Sequence, residues 1–192
     1  MKTLLITGFD PFGGHGLNPS WQAVRQLPDQ AGEYMLCKLG IPTVFGLAAE
    51  TVLSAAEKCH PDVILCVGLA AGRDAVTPER IAVNIRDARI PDNAGNQPQG
   101  AYVALDGPAA YFSTLPVEAM AQAIRNVQIP ASVSNSAGAF VCNDTLYALL
   151  HHFAGTSTRV GFIHIPNIPE QGQPSLPLEA SIRALTAAIE AL

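Results

Sequence analysis

Apolar positions along the chain follow two rhythms. Short β-branched and apolar runs occur at Thr3–Thr7, Tyr34–Leu39, Asp62–Gly68, Arg80–Ile85, Ser132–Asn135 and Val160–Ile165. Most are nearly continuous rather than alternating, the pattern of strands covered on both faces. Between them, apolar residues recur at helical spacing. Asn18-Pro19 supplies a cap and a first-turn proline for a helix through Trp21–Leu27. Phe45, Ala49, Val52 and Ala56 line one face of a second, and Met120, Ala121 and Ile124 mark a third, from Val117. Leu146, Leu149, Leu150 and Phe153 mark a fourth, and Leu178, Ile182, Leu185 and Ile189 a fifth. Strands alternating with helices predict an open, mostly parallel twisted sheet with helices on both faces, a three-layer α/β/α arrangement. The expected unit is one domain spanning 1–192.

Two stretches break the rhythm: Ala70–Glu79, and Arg86–Gly107, which is rich in Pro, Gly, Asn and Asp. They read as functional loops rather than linkers, since nothing suggests a second domain beyond them. Composition narrows the function classes. Against 16 acidic residues stand 11 basic ones, a net charge of −5. No Lys/Arg stripe is available to neutralise successive phosphates, so nucleic acid is not an expected partner. The apolar run Leu4–Ile6 ends at Gly8, too short for a signal peptide or a membrane span, so a cytoplasmic chain is expected. Cys37, Cys59, Cys66 and Cys142 form no CxxC pair and no metal-ligand spacing, which suits free thiols in a reducing compartment.

In open α/β sheets, ligands sit outside the carboxyl ends of the strands. Three segments fall there. Gly8–Gly14, GFDPFGG, follows the first strand. It lacks the Lys-Ser/Thr of a P-loop and the spacing of a dinucleotide fingerprint, and a tight turn capped by Phe9 and Phe12 explains it equally well. In SNSAGAFVCNDTLYALL, Gly138 permits a turn and Cys142 falls in the first turn of a helix. Free N–H groups and the positive end of the helix dipole there favour a thiolate, and could receive a developing oxyanion. An isolated cysteine is more often an inert small hydrophobe, the reading given to Cys37, Cys59 and Cys66 within apolar stretches. The third segment, Val160–Pro166, carries His164 in an otherwise apolar run. A lone core histidine is usually structural, but this one lies at the same end of its strand as Cys142 does of the preceding one. His15, His60 and His151 lack this setting, and His152 is a reserve candidate. A histidine base needs a carboxylate to fix its tautomer. Asp10, Asp74, Glu79, Asp87 and Asp92 are all available, and spacing does not choose among them.

The stretches GFDPFGG with NPSW, IPTVFG, VGLAAGR followed by TPERIAVNIRDARIPDN, SNSAGAFVCN and GFIHIPNIPEQ resemble the pyroglutamyl peptidase I family, also called pyrrolidone-carboxylate peptidases, over nearly the whole chain. The resemblance implies a cysteine peptidase that releases an N-terminal pyroglutamyl residue, with Cys142 as nucleophile, His164 as base and Glu79 as the acidic partner. It implies a lactam pocket made by Phe9, Phe12, Thr43, Ile90, Phe140 and Val141, and places Arg89 near the scissile carbonyl. It further implies a homo-oligomer, often a tetramer, that needs no metal or organic cofactor. The chain departs from some relatives at Leu69, where certain members carry Gln, and at Asn167, where Tyr is common. It is also short between Ala154 and Arg159 and after Gln171. Two other readings remain open at this level: a catalytically silent protein that binds pyroglutamyl peptides, and a phosphorylase-like enzyme on a similar sheet.

Overall fold

The computed structural model describes residues 1–14 and 16–192. The main sheet contains β1 (Lys2–Phe9), β2 (Gln30–Ala31), β3 (Tyr34–Ile41), β4 (Val63–Leu69), β5 (Thr77–Pro78) and β8 (Arg159–Ile165), in the order β2-β3-β1-β4-β8-β5. The four central strands run parallel, and the two-residue strands β2 and β5 pair antiparallel at the edges. A separate antiparallel pair is formed by β6 (Ile81–Val83) and β7 (Ala110–Phe112).

Among the described residues five α-helices cover the sheet: α1 (Pro19–Arg25), α2 (Leu47–Cys59), α3 (Val117–Asn126), α4 (Val141–His152) and α5 (Leu178–Glu190). Strand alternation sorts the core into two halves. Leu4, Ile6, Val63, Leu65, Val67, Ile163 and Ile165 pack with Val24 of α1, Met120 and Ile124 of α3, and Leu185 and Ile189 of α5. Leu5, Ile64, Cys66, Val160 and Phe162 face the other way, onto Val52 of α2 and Leu146, Leu149 and Leu150 of α4. Each fully buried aliphatic side chain contributes roughly 1.5–3 kcal/mol, so both helical layers are needed to cover strands that are apolar on both faces. None of the helices among the described residues is long and apolar enough to cross a membrane.

The expected three-layer α/β/α architecture is the one observed, with corrections at the margins. Arg80–Ile85 shortens to β6, which leaves the main sheet to pair with β7. Ser132–Asn135 is not a strand. It makes only isolated bridges, Val76↔Ala131 just before it and Glu79↔Ser134 within it. Its physical task is local: Ser134 N–H donates to the Pro78 carbonyl, and Arg80 N–H donates to the Ser134 carbonyl, bracketing Glu79. Phe45, counted in the apolar stripe of α2, precedes that helix.

The turn after β1 is anchored by the start of α1. Asn18 accepts from Ser20 N–H as the cap, and Ser20 Oγ accepts from Phe9 N–H at 3.0 Å. This approach requires glycine at position 8, where a Cβ would lie 2.5 Å from Trp21 Cα and 2.6 Å from its nitrogen. Backbone atoms cannot yield as a flexible side chain can. Gly8→Ala is therefore expected to destabilise the fold by about 1–3 kcal/mol or more, read as a lowered midpoint in chemical denaturation.

Candidate active site

The carboxyl ends of β4 and β8 and the start of α4 bring together a carboxylate, an imidazole and a thiol. Glu79 lies between β5 and β6, fully buried, with its N–H donating to the Phe162 carbonyl of β8 at 2.9 Å. Its Oε1 is 2.7 Å from His164 Nδ1. Glu79 is held below the ordinary carboxylate range. Burial opposes this, but the hydrogen bond and charge of His164, the nearby Ser134 hydroxyl and the hydrogen bond from Arg73 outweigh it. An ionised carboxylate can only accept, so Nδ1 carries the proton and Nε2 keeps its lone pair.

The sulfur is located by a glycine. Gly68 of β4 and His164 of β8 are register partners in parallel strands and face the same side of the sheet. A Cβ on Gly68 would lie 3.0 Å from Cys142 Sγ, and 2.8 Å from the Phe162 ring. Cys142 Sγ thus occupies the space over Gly68, the residue paired with His164 on the neighbouring strand. The Phe162 ring lies beside the imidazole, with centroids 4.7 Å apart. No side chain larger than hydrogen fits at position 68 without displacing the sulfur or that ring.

Both titrating partners rest in their neutral forms. Burial, aided by the charge of Glu79, pushes the Cys142 thiol up to about 12, and Arg73 and the local backbone N–H offset this only in part. Burial also lowers His164 below 6.5, against the raising influence of Glu79. The start of a helix is expected to favour a thiolate at Cys142; burial and the Glu79 carboxylate instead raise the thiol above its ordinary value. Burial likewise pushes Cys66 up to about 12, which fits an inert core thiol.

Beside the start of α4 is an aromatic group. Phe140 immediately precedes α4, its ring centroid 6.1 Å from Phe12 and 5.2 Å, edge-on, from Phe45. Thr43 is tied to the turn after β1 by its N–H on Asp10 Oδ1, at 2.7 Å, and its hydroxyl on the Asp10 carbonyl. Asp87 N–H donates to the Ala139 carbonyl, so the segment leading to Arg89 and Ile90 passes the approach to α4, and both of those side chains are exposed there. Phe9 and Val141, by contrast, are buried, with Phe9 against Phe162 at 6.2 Å, so their side chains back the site from the core. Of the other carboxylates considered, Asp10 and Asp92 bind loop amides, and Asp92 accepts from the N–H groups of Phe45, Ala94 and Asn96. His15 lies outside the described residues. His152 lines a separate cavity with His60 and Asp62, below the amino-terminal end of β4.

Several contributing residues escaped the sequence reading. Asn143 clamps β6 and the residues just after it, accepting from Val83 N–H and donating to the carbonyls of Val83 and Ile85. Asp144, fully buried, accepts from Gly46 N–H at 2.8 Å and from Arg86 Nε at 2.6 Å. Arg73 Nη1 donates to Glu79 Oε1 at 2.6 Å and to the Thr77 hydroxyl, and its Nη2 donates to the Ser136 carbonyl. The available signal was two adjacent polar residues opening an otherwise apolar helix.

Comparison with known proteins places this arrangement. The pyroglutamyl peptidase family matches the chain over residues 1–192. A pyrrolidone-carboxylate peptidase of Levilactobacillus brevis is 53% identical, covering 98% of this chain and 96% of its own. The crystal structure of pyroglutamyl peptidase I from Bacillus amyloliquefaciens superposes with a TM-score of 0.96 at 45% identity, over 100% of this chain and 96% of that one. The pyrrolidone carboxyl peptidase of Thermococcus litoralis gives 0.95 at 39% identity, covering 100% and 93%.

The buried pair carries a pH dependence of stability. His164 is lowered from 6.5, so as pH falls below 6.5 the unfolded chain takes up a proton that the folded one refuses, and stability drops. Glu79 is lowered from 4.5, so its contribution is full above 4.5 and is lost as pH falls through the folded value. Both act in one direction. Denaturation midpoints are expected to fall from pH 7 to pH 5, and His164→Asn should remove the component that sets in below 6.5.

Proposed function

For this chain, which belongs to the pyroglutamyl peptidase family, we propose hydrolysis of the bond after an N-terminal pyroglutamyl residue, with Cys142 as nucleophile, His164 as general base and Glu79 fixing the base. The observation that carries the assignment is the 2.7 Å bond from His164 Nδ1 to Glu79 on the strand adjoining Gly68, above which the sulfur sits. In the proposed first step His164 Nε2 takes the thiol proton as Sγ attacks the pyroglutamyl carbonyl carbon. N–H groups opening α4 receive the oxyanion, and the C–N bond breaks as the imidazolium returns the proton to the departing amine. Water, deprotonated by the same imidazole, then cleaves the thioester, and pyroglutamate leaves with the thiol restored.

Recognition follows from the chemistry of the lactam. It is flat, uncharged and small, so rings such as Phe12 and Phe140 can enclose it while Thr43 and neighbouring backbone groups meet its N–H and C=O. Ile90 would close the pocket, Phe9 and Val141 would support it from the core, and Arg89 would reach the scissile carbonyl. A charged glutamyl amino group would be desolvated there without a partner. Proline lacks the ring carbonyl and would leave polar groups unpaired. No metal or organic cofactor enters any of these steps. The free thiols of Cys37, Cys59 and Cys66 suit a cytoplasmic setting. Exposed Tyr102, Leu105 and Phe112 supply apolar surface for a homo-oligomer, a dimer or tetramer.

Cys142→Ala is expected to abolish release of a chromogenic amine from a pyroglutamyl amide, while Cys59→Ser leaves it unchanged. The prolyl and glutamyl analogues should be poor substrates of the unaltered chain, and full hydrolysis by Cys142→Ala would refute the assignment. Gly68→Ala, which displaces the sulfur or the Phe162 ring, should lower kcat about tenfold or more while the protein remains folded, checked by steady-state kinetics beside a thermal melt.

A further inference from the structure

Glu79 accepts two hydrogen bonds on a single oxygen. Oε1 takes both His164 Nδ1–H, at 2.7 Å, and Arg73 Nη1–H, at 2.6 Å, while the buried Oε2 has no hydrogen-bond partner among the described residues. The guanidinium is locked in this pose. Nη1 also donates to Thr77, the register partner of His164, and Nη2 donates to the carbonyl of Ser136, on the segment that leads into the nucleophile's helix. An arginine that only neutralised a surface carboxylate would have no reason to span these three elements.

We propose that Arg73 is a positioning residue that sets the strength of the His164 base by sharing its carboxylate. The inference rests on the roles assigned above to His164 and Glu79. The charge balance supplies the reason. With the imidazole neutral, Arg73 and Glu79 cancel, and protonating His164 leaves one net positive charge in a desolvated site. Without Arg73, the same protonation would neutralise a lone buried carboxylate, and the imidazole would hold its proton to higher pH. The charged and titratable groups facing His164 are Glu79 from the β5–β6 connection, Arg73 from the loop after β4, and Cys142 from α4. Of these, only Arg73 is a permanent cation. Its presence keeps the imidazole free to accept the thiol proton, and makes the imidazolium readier to give that proton to the departing amine.

The test compares the acid limb of kcat/KM with the titration of the His164 imidazole, followed by NMR in labelled protein, for the unaltered chain, Arg73→Gln and Arg73→Lys. Arg73→Gln should move both upward in pH together, so that at pH 6 kcat/KM relative to its own plateau falls by roughly fivefold. Arg73→Lys, which keeps the charge, should hold both near their original positions. Thermal melts verify folding, and Arg73→Met replaces Arg73→Gln if the latter does not fold. Unmoved profiles in the uncharged variant, or the same displacement in Arg73→Lys, would overturn the proposal. Failure of the underlying assignment looks different: the acid limb of the unaltered chain would not coincide with the His164 titration, whatever the Arg73 variants do.

Discussion

The site is organised around a carboxylate sealed from water and bonded to an imidazole. An ion the size of Glu79 costs several kcal/mol to bury, and only hydrogen bonds and an opposite charge make the ionised form tenable there. The His164 bond, the Arg73 fork and the backbone bracket from Ser134 supply these. The geometry of the surrounding elements follows from that need. β5 lies against β8 so that Glu79 reaches His164, and the segment before α4 runs beside β5 because its amides and carbonyls complete the enclosure. A chain that met this requirement had already put an imidazole with a fixed tautomer at the carboxyl end of a central strand.

Much of the scaffold was legible in the sequence because its causes are local. Continuous apolar runs identified β1, β3, β4 and β8, and helical spacing identified α2 to α5, since burial on both faces and on one stripe leave different rhythms. Cys142 could be placed in the first turn of its helix from the glycine and the apolar period around it. The Glu79 assignment was not accessible in this way. Spacing could not rank Glu79 above Asp87, because what distinguishes them is a contact across 85 residues of sequence. Resemblance to a family supplied what periodicity could not.

The failures also have physical reasons. Ser132–Asn135 looked strand-like, yet its partner is a two-residue edge rather than a full ladder, so it serves as a bracket. Gly68 was invisible as a determinant because its contribution is an absence, a vacant Cβ position filled by Sγ and the Phe162 ring. The burial of Cys142 could not be read, because position in a helix is legible in a sequence, whereas the depth of water around a sulfur is not. Burial and the nearby carboxylate raise the thiol above its ordinary value.

The opening turn of α4 carries three consecutive side chains with different tasks. Cys142 faces the chemistry, Asn143 grips β6, and Asp144 holds both Gly46 beside Phe45 and Arg86. The sulfur and the supports of the aromatic group are thereby fastened to a single turn of backbone. A molecule in which that turn frays loses its grip on the aromatic wall at the same moment as it loses its oriented sulfur. Damage to that turn therefore disturbs the wall and the sulfur together rather than one at a time.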